Sequence, residues 1–337
     1  MDVQDDIIYQ GIIHEANYEA VMEQTVLPYL NARRRTAWVP CWEGPDSERK
    51  LHVQQYLADR PRGVVVISHG FTEYAEKYAE TIYYFLKEHY HVYIPEHCGH
   101  GKSYRLASDP SLVHIDHWYR YPKDFLRISV LIRKAHPGLP LYLYGHSMGG
   151  AIAGIAAAWS PGMYRKVILS APMIRPLTGN VPYPAAVRIA RAACHTGNSR
   201  KYVPGQRPYT GRGKFENSSG LSLPRFERYQ KLRAENRAYQ TNGASYGWLY
   251  NAAKMNWYLQ RRAWREIEAP VLLFQAETDS LVSLKAQDIF AEKINRYGKT
   301  TCRLVRVPGS RHEICNNCDE IVGRYWGEVF EFLRGGR

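Results

Sequence analysis

Cysteine is sparse in this chain of 337 residues, and no apolar stretch is long enough to cross a bilayer. The six cysteines are spread over the whole length, which argues against a disulfide framework and predicts reduced thiols. The longest apolar run, residues 151–159, is about half of the ~20 residues that a transmembrane helix needs. The first six residues, MDVQDD, are acidic, whereas a secretory signal begins with basic residues. These absences predict a cytoplasmic protein without a transmembrane helix.

The composition is that of a folded globular chain. Hydrophobic residues make up 45% and charged residues 23%, with a mean hydropathy of −0.45. These values exclude a disordered, collagenous or fibrous protein. The length suits one large α/β domain with an insertion, or two ordinary domains.

The positive charge is concentrated in one segment. Residues 174–266 contain 17 Lys and Arg against four Glu and no Asp, so this segment carries the whole net charge of +13. A local positive field attracts anionic lipid surfaces, phosphate-bearing ligands or nucleic acid. The segment therefore predicts peripheral contact with an anionic membrane surface, while a solvated basic face that only maintains solubility is an equal alternative. We expect no nucleic-acid partner, and the sequence leaves the oligomeric state open.

Strands alternate with helices on both sides of this basic segment. Buried β-branched or apolar runs predict strands over residues 35–40, 51–58, 63–68, 91–94, 141–144, 166–170, 271–274 and 302–307. Alternation of this kind predicts a mostly parallel sheet with helices on both faces. We therefore expect a helical N-terminal segment (1–33), an α/β core (34–173 and 267–337) and an inserted, mainly helical cap (174–266). A second domain with its own sheet is the less favoured division.

A G-x-S-x-G pattern lies where a predicted strand meets a predicted helix. It reads Gly145-His146-Ser147-Met148-Gly149 and follows the strand at 141–144. In a nucleophile elbow the turn is so tight that glycines must flank the serine, whose hydroxyl projects above the sheet edge. Ser147 is therefore the candidate nucleophile.

A serine hydroxyl needs a histidine base oriented by a carboxylate. In the strand order expected for such an elbow, the acid and then the histidine follow later strands. Asp279 follows the strand at 271–274, and His312 follows the strand at 302–307. His312 is the only one of 13 histidines beyond position 195. Glu277, in the same loop as Asp279, is the alternative acid.

Acyl transfer also needs donors for a tetrahedral oxyanion. The backbone N–H of Met148, directly after the nucleophile, is the first candidate. The second is the N–H of Phe71 in the loop His69-Gly70-Phe71-Thr72-Glu73, where Gly70 would let the backbone approach closely. An ordinary turn at a strand end is the alternative for this loop.

Several motifs together resemble a known family. They are His69-Gly70 with Glu73, the run from Glu96 to Ser103 (EHCGHGKS), the serine elbow extended to Gly150, Ala171-Pro172-Met173, and the Asp279 and His312 loops. In this order they resemble the α/β-hydrolase group of monoacylglycerol lipases, bacterial lysophospholipases and serine aminopeptidase-like hydrolases. The resemblance spans residues 35–335 and is strongest to bacterial lysophospholipases, through residues 103–110, 275–277 and 311–314.

The resemblance implies an α/β-hydrolase fold and a carboxylic ester hydrolase acting on a single-chain lipid, with the insertion as a cap over the acyl pocket. Two features depart from the group's pattern: Glu96 stands where Asp is more common, and the cap sequence matches weakly. Cap aromatics interleaved with basic residues suit a lid between acyl chains and headgroups, although packing of the cap onto the core is the favoured explanation for most of them.

The pair Cys315 and Cys318 forms a C-x-x-C motif just after His312. A zinc site needs four ligands and no second pair has suitable spacing, so we expect two thiols at a helix start. The chemistry requires neither a cofactor nor a metal.

The leading hypothesis is a serine hydrolase that releases a fatty acid from a lysophospholipid or monoacylglycerol through an acyl-enzyme. The alternatives are another triad hydrolase (aminopeptidase-like, thioesterase or general carboxylesterase) and a non-catalytic protein that binds anionic surfaces.

Overall fold

A computed structural model of the protein describes residues 7–335. The acidic residues 1–6 of the predicted N-terminal segment and residues 336 and 337 of the predicted α/β core lie outside the described residues. Within 7–335 the strands are β1 (Arg34–Pro40), β2 (Lys50–Tyr56), β3 (Gly63–Ser68), β4 (Tyr90–Pro95), β5 (Leu112–Val113), β6 (Leu141–His146), β7 (Tyr164–Ser170), β8 (Gly243–Ala244), β9 (Val271–Ala276) and β10 (Cys302–Val307). Eight of them form one sheet in the order β1-β2-β4-β3-β6-β7-β9-β10. Strand β2 runs antiparallel to β1 and β4, and every other neighbouring pair is parallel. The predicted mostly parallel sheet is confirmed.

Helices cover both faces of this sheet. Over the same residues the α-helices are α1 (Tyr18–Val21), α2 (Leu27–Asn31), α3 (Ala79–Lys87), α4 (Arg120–Ala135), α5 (Met148–Trp159), α6 (Tyr183–His195), α7 (Leu223–Glu235), α8 (Tyr246–Arg261), α9 (Leu284–Tyr297) and α10 (Asp319–Arg334). A π-helical turn, Met22–Val26, joins α1 to α2. None of the helices in the described part of the chain has both the length and the apolar character needed to span a membrane.

The side chains of β3 alternate between two hydrophobic cores. Val64 and Val66 belong to the core that contains residues of α4, α5, α8 and α9, whereas Val65 and Ile67 belong to the core that contains residues of α3 and α10. A strand buried on both faces has no polar side, since successive side chains point to opposite faces. This explains the unbroken β-branched sequence of β3.

Strand β2 ends earlier than the sequence predicts. We expected a strand over residues 51–58, but β2 ends at Tyr56. The backbone N–H of Ala58 instead donates to Nδ1 of His91 at 2.9 Å. In a longer β2 this N–H would donate to a neighbouring strand, but here it donates to a side chain.

Helices α6, α7 and α8 lie between β7 and β9, within the basic segment. Helix α7 is held against the N-terminal part of the chain by ion pairs. The Arg225 guanidinium lies 2.8 Å from Glu80, and that of Arg228 lies 2.9 Å from both Glu19 and Glu23. Part of the basic excess thus forms internal ion pairs, a role that composition alone does not reveal.

A short parallel ladder joins the basic segment to the core. Strand β5, in the connection after β4, pairs with β8 through Leu112 with Gly243 and Val113 with Ala244. A Cβ atom at Gly243 would lie 2.7 Å from the Tyr202 ring and 3.0 Å from the Arg207 carbonyl oxygen. Only glycine leaves room for this crossing. Two-residue strands carry no periodic signal, and the sequence did not predict them.

Aromatic residues of the basic segment also pack on the core. The Trp248 ring lies 4.4 Å from the Phe71 ring, and the Tyr239 ring stacks on Tyr74 at 4.0 Å. Trp257, in contrast, is 54% exposed. Packing onto the core therefore accounts for some of these aromatics and not for others.

Candidate active site

Ser147 occupies a strained turn between β6 and α5. Its backbone has φ 53° and ψ −119°, a region that L-residues seldom adopt. A Cβ atom at Gly145 would lie 2.7 Å from the Gly149 carbonyl oxygen, and one at Gly149 would lie 1.9 Å from the carbonyl oxygen of Ser68. The glycines of the motif are therefore required by close backbone contacts, and the turn leaves Ser147 facing a cavity.

His312 joins the serine to an acid. Its Nε2 atom lies 2.9 Å from Oγ of Ser147, and its Nδ1 atom lies 2.6 Å from Oδ2 of Asp279. His312 follows β10 and Asp279 follows β9, so three loops at the carboxyl edge of the sheet supply the three groups. The His312 and Asp279 side chains are 4% and 0% exposed. The structure thus brings together the three side chains that the sequence singled out.

The alternative acid, Glu277, has a different partner. Its Oε2 atom accepts a hydrogen bond from the Gly309 backbone N–H at 2.7 Å. Asp279, besides contacting the histidine, accepts backbone hydrogen bonds from Leu281 at 2.8 Å and Val282 at 2.9 Å. Burial opposes ionisation of Asp279, but these hydrogen bonds and the His312 ring together lower its pKa below the usual value. The carboxylate form is thereby favoured beside the imidazole.

Of the two residues whose amides are predicted to bind an oxyanion, one directly follows the serine in the chain and the other lines the same cavity. Met148 is the first residue of α5, and Phe71 lies in the loop after β3 and lines the cavity at Ser147. Within residues 7–335 neither amide donates a hydrogen bond to another protein group. Both donors remain available to a bound molecule.

Gly70 leaves space for neighbouring side chains in the loop after β3. A Cβ atom there would lie 2.7 Å from Oε2 of Glu73 and 3.1 Å from the His146 ring. The Gly70 N–H itself donates to that carboxylate oxygen at 2.6 Å. The glycine makes space for the Glu73 side chain, whose carboxylate holds the loop through this hydrogen bond.

A buried charge cluster, made of Glu73, Lys77, Glu313 and His146, lies beside the serine and histidine. The Lys77 ammonium contacts Glu73 at 2.7 Å and Glu313 at 2.8 Å. The ring of His146 lies 5.0 Å from that of His312. Burial opposes charge on both partners, but their mutual attraction raises the pKa of Lys77 and lowers the pKa of Glu73. Sequence reasoning missed Lys77, because Glu73 lies in the loop before the 3-10 turn Ala75–Tyr78 and the i,i+4 rule for helices does not apply there.

The cavity at Ser147 has a volume of about 740 Å³, and we call it the serine cavity. The end of β6 and the loops after β3, β9 and β10 form part of its wall, and residues of the basic segment form the rest. Its apolar lining consists mainly of Phe71, Phe226, Tyr229 and Leu281, while most other lining groups are polar or charged.

The C-x-x-C motif follows His312 in the chain. Cys315 is in a short 3-10 turn, Ile314–Asn316, and Cys318 directly precedes α10. Both thiols are free. Burial raises the pKa of Cys315 to about 12, which keeps its thiol protonated and unreactive. Over residues 7–335 no group of three or more His, Cys, Asp or Glu side chains is arranged to hold a metal ion.

Two solved structures have a fold similar to that of this chain. A carboxyl esterase from Bacillus coagulans in complex with glycerol has a TM-score of 0.71 at 18% identity, over 90% of this chain and 98% of that one. A soluble variant of monoglyceride lipase from Saccharomyces cerevisiae has a TM-score of 0.66 at 16% identity, over 90% and 95%. By fold the chain is an α/β-hydrolase, as predicted.

Sequence comparison gives the family. The chain belongs to the serine aminopeptidase, S33 family, whose model matches residues 59–319. It is 28% identical to lysophospholipase L2 of Escherichia coli K12 over 262 residues, 77% of each chain. It is 35% identical to monoacylglycerol lipase of Mycolicibacterium smegmatis over 127 residues, 38% of this chain and 44% of that one. The predicted family resemblance is confirmed, and membership makes the chain a hydrolase enzyme.

Proposed function

We propose that this enzyme hydrolyses the carboxylic ester of a single-chain lipid, a lysophospholipid or a monoacylglycerol, and releases the fatty acid. The relatives named lysophospholipase and monoacylglycerol lipase support an ester-hydrolysing lipase. The observation that carries the mechanism is the continuous hydrogen-bonded chain from Ser147 Oγ through the His312 ring to Asp279 Oδ2, at 2.9 and 2.6 Å.

In the proposed acylation step, Ser147 Oγ attacks the ester carbonyl carbon while His312 Nε2 takes the hydroxyl proton. Asp279 holds Nδ1 protonated and stabilises the imidazolium that forms. The negative charge passes to the carbonyl oxygen, where the N–H groups of Met148 and Phe71 donate to it. Collapse of this intermediate breaks the ester bond, and the imidazolium gives its proton to the departing alcohol.

In the second step water repeats the attack on the acyl-enzyme. The neutral His312 ring takes a proton from the water, the oxyanion forms again at the same two amides, and Ser147 leaves with the proton returned by the imidazolium. The products are a fatty acid and the free enzyme. The chain supplies the nucleophile, the base and the oxyanion donors itself.

Residues 174–266 act as a cap in this proposal, and the core is formed by 34–173 and 267–337. The cap's part of the serine cavity wall supports this division. Its exposed basic residues would bring the enzyme into peripheral contact with an anionic membrane surface from the cytoplasmic side.

The family description also names an aminopeptidase, so an amide-cleaving activity at the same serine is the second candidate. Purified enzyme should be incubated with an ester, a thioester and an aminoacyl amide, followed by a mixed lipid extract with product analysis. Release of free fatty acid, lost in the variant Ser147→Ala, supports the proposal. Cleavage of the amide alone would replace it with the second candidate. Failure of Ser147 to react with a fluorophosphonate probe would instead identify a non-catalytic protein.

A further inference from the structure

Three cations face the serine cavity without an acidic partner. Arg207, Arg212 and Lys214 line it, and all three residues are exposed. In the described part of the chain none of them forms an ion pair with a carboxylate. They differ in this from Arg225 and Arg228 of α7, whose charges are paired with Glu80, Glu19 and Glu23.

The acidic groups of the same cavity are already paired. Glu73 and Glu313 both line it, and both contact the Lys77 ammonium, at 2.7 and 2.8 Å. Both carboxylates are therefore held by Lys77, whereas Arg207, Arg212 and Lys214 have no carboxylate partner among residues 7–335. A cavity wall of one sign favours a ligand of the other sign.

The backbone that carries these cations is anchored. We call residues 205–214 the basic loop. The Asn242 side-chain amide donates to the Arg207 carbonyl oxygen at 3.0 Å, and the Gly213 N–H donates to Oε1 of Gln230 at 3.1 Å. Between them, the N–H of Tyr209 donates to Oγ of Ser111 at 3.2 Å. These contacts place the basic side chains at the cavity while their charged ends stay free.

The cavity therefore combines two kinds of surface. Phe71, Phe226 and Leu281 offer apolar contact near the serine, and the basic loop offers donors. Guanidinium groups pair with phosphate oxygens through two parallel N–H bonds, and an ammonium adds a point charge. An ester whose acyl part is apolar and whose alcohol part carries a phosphate matches both surfaces.

We infer that Arg207, Arg212 and Lys214 form a subsite for the phosphate group of the substrate, so that the enzyme prefers anionic lysophospholipids over neutral monoacylglycerols. This inference rests on the proposed ester hydrolysis at Ser147 and specifies its alcohol part. The phosphate is bound as part of the substrate and is not itself transformed.

The test compares two substrates that differ only in the phosphate: 1-octanoylglycerol 3-phosphate and 1-octanoylglycerol. Both are used below their critical micelle concentrations, so that attraction to a charged surface plays no part. The triple variant Arg207→Gln, Arg212→Gln, Lys214→Gln should lose at least about tenfold in kcat/KM on the phosphate ester. Its kcat/KM on the neutral ester should stay near the wild-type value, which also shows that the variant folds.

A second triple variant controls for net charge. It carries Arg191→Gln, Arg237→Gln and Arg262→Gln. These substitutions also remove three positive charges, but from exposed positions that do not line the serine cavity. This variant should keep the wild-type preference. An equal loss in both triple variants, or an equal loss on both substrates, overturns the subsite. If wild-type enzyme hydrolyses neither ester, the proposed function itself fails.

A competition experiment with inorganic phosphate distinguishes a site for the substrate's phosphate group from a site for free phosphate. For a substrate subsite, free phosphate should compete with 1-octanoylglycerol 3-phosphate in the wild type, and the basic-loop variant should lose this competition. Inhibition by phosphate without any preference between the two esters would overturn the assignment to the substrate, because the site would then bind a free anion.

Discussion

The Nζ atom of Lys77 lies 2.8 Å from Oε1 of Glu313, the residue that directly follows His312. The same ammonium lies 2.7 Å from Glu73 in the loop after β3, and 4.4 Å from the centre of the Tyr229 ring on α7. One cation thus connects the loop of Phe71, the loop of His312 and the basic segment. The contact ties together three parts of the chain that the proposed mechanism needs in fixed positions.

Replacement of Lys77 by Met should strongly destabilise the fold. Glu73 and Glu313, 5% and 21% exposed, would lose their cation, and breaking a buried ion pair from one side costs about 3–5 kcal/mol. We expect the lower end of this range, because Glu313 retains contact with the cavity. Urea unfolding measures the free energy of unfolding.

Lys102 provides the control for Lys77. Its ammonium is 41% exposed and lies 3.7 Å from Glu76, so the variant Lys102→Met should change the free energy of unfolding by less than about 1 kcal/mol. Combining Lys77→Met with Glu313→Gln should recover part of the loss, since one unpaired carboxylate is then neutral. Equal free energies of unfolding for Lys77→Met and Lys102→Met would show that the ion pairs of Lys77 do not stabilise the fold.

Replacement by alanine should destabilise the protein strongly at one glycine of α5 and hardly at another. A Cβ atom at Gly149 would lie 1.9 Å from the Ser68 carbonyl oxygen, whereas at Gly154 the nearest atom is the Leu259 side chain at 3.3 Å. Gly149→Ala should cost about 3 kcal/mol or more, because backbone must move. Gly154→Ala should stay within about 1 kcal/mol of wild type, since helix propensity offsets the tighter contact. Thermal or urea unfolding of both variants decides, and a tolerated Gly149→Ala contradicts the tight elbow.

The features that the sequence predicted well are those with a local or ordered signal. Strand β3 has the predicted limits because β-branched residues mark it continuously. Ser147, Asp279 and His312 were found from a turn motif and from their order after strands, and they do lie within hydrogen-bonding distance. Their catalytic roles stay a prediction.

The features that the sequence missed depend on contacts between distant segments. Lys77 and Glu313, like Arg225 and Glu80, are ordinary surface types until the fold brings them together. Glu96 is similar: its side chain accepts backbone hydrogen bonds from Ala75 and Lys102 at 3.1 and 2.7 Å. No periodicity in one chain encodes such pairings, since each partner's choice depends on tertiary packing.

The carboxyl group of Asp124 should make stability depend on pH. Burial raises its pKa to about 6, although the Trp42 N–H and the Tyr104 hydroxyl donate to it at 2.7 and 2.8 Å. In the unfolded chain the value is about 3.9. The folded state therefore binds the proton more tightly. The resulting stabilisation is complete below about pH 4, is lost as the pH rises through about 6, and amounts to roughly 3 kcal/mol at most.

The variant Asp124→Asn isolates this contribution. His91, whose pKa burial lowers to about 4, acts in the opposite sense, because its contribution is lost as the pH falls. The wild-type profile alone therefore mixes the two groups, and the useful quantity is the difference between wild type and variant. The free energy of unfolding of the wild type minus that of the variant, measured by urea unfolding, should fall as the pH rises from about 4 to about 7. Parallel profiles would mean that Asp124 has an ordinary pKa in the folded protein.

Asp279 and Glu277 allow the proposed acid to be tested within one loop. Asp279→Asn keeps the shape of the side chain but replaces the acceptor at His312 Nδ1, 2.6 Å away, so the ring is held in the wrong tautomer. By analogy with other triads, kcat on a p-nitrophenyl ester should fall roughly 10³–10⁴-fold. Glu277→Gln retains an oxygen that can accept the Gly309 N–H and should keep kcat near the wild-type value. Unfolding curves of both variants must match the wild type, so that only the chemistry differs. If Glu277→Gln is the inactive variant and Asp279→Asn turns over normally, the acid has been assigned to the wrong residue, and the hydrogen bond seen at His312 serves structure alone.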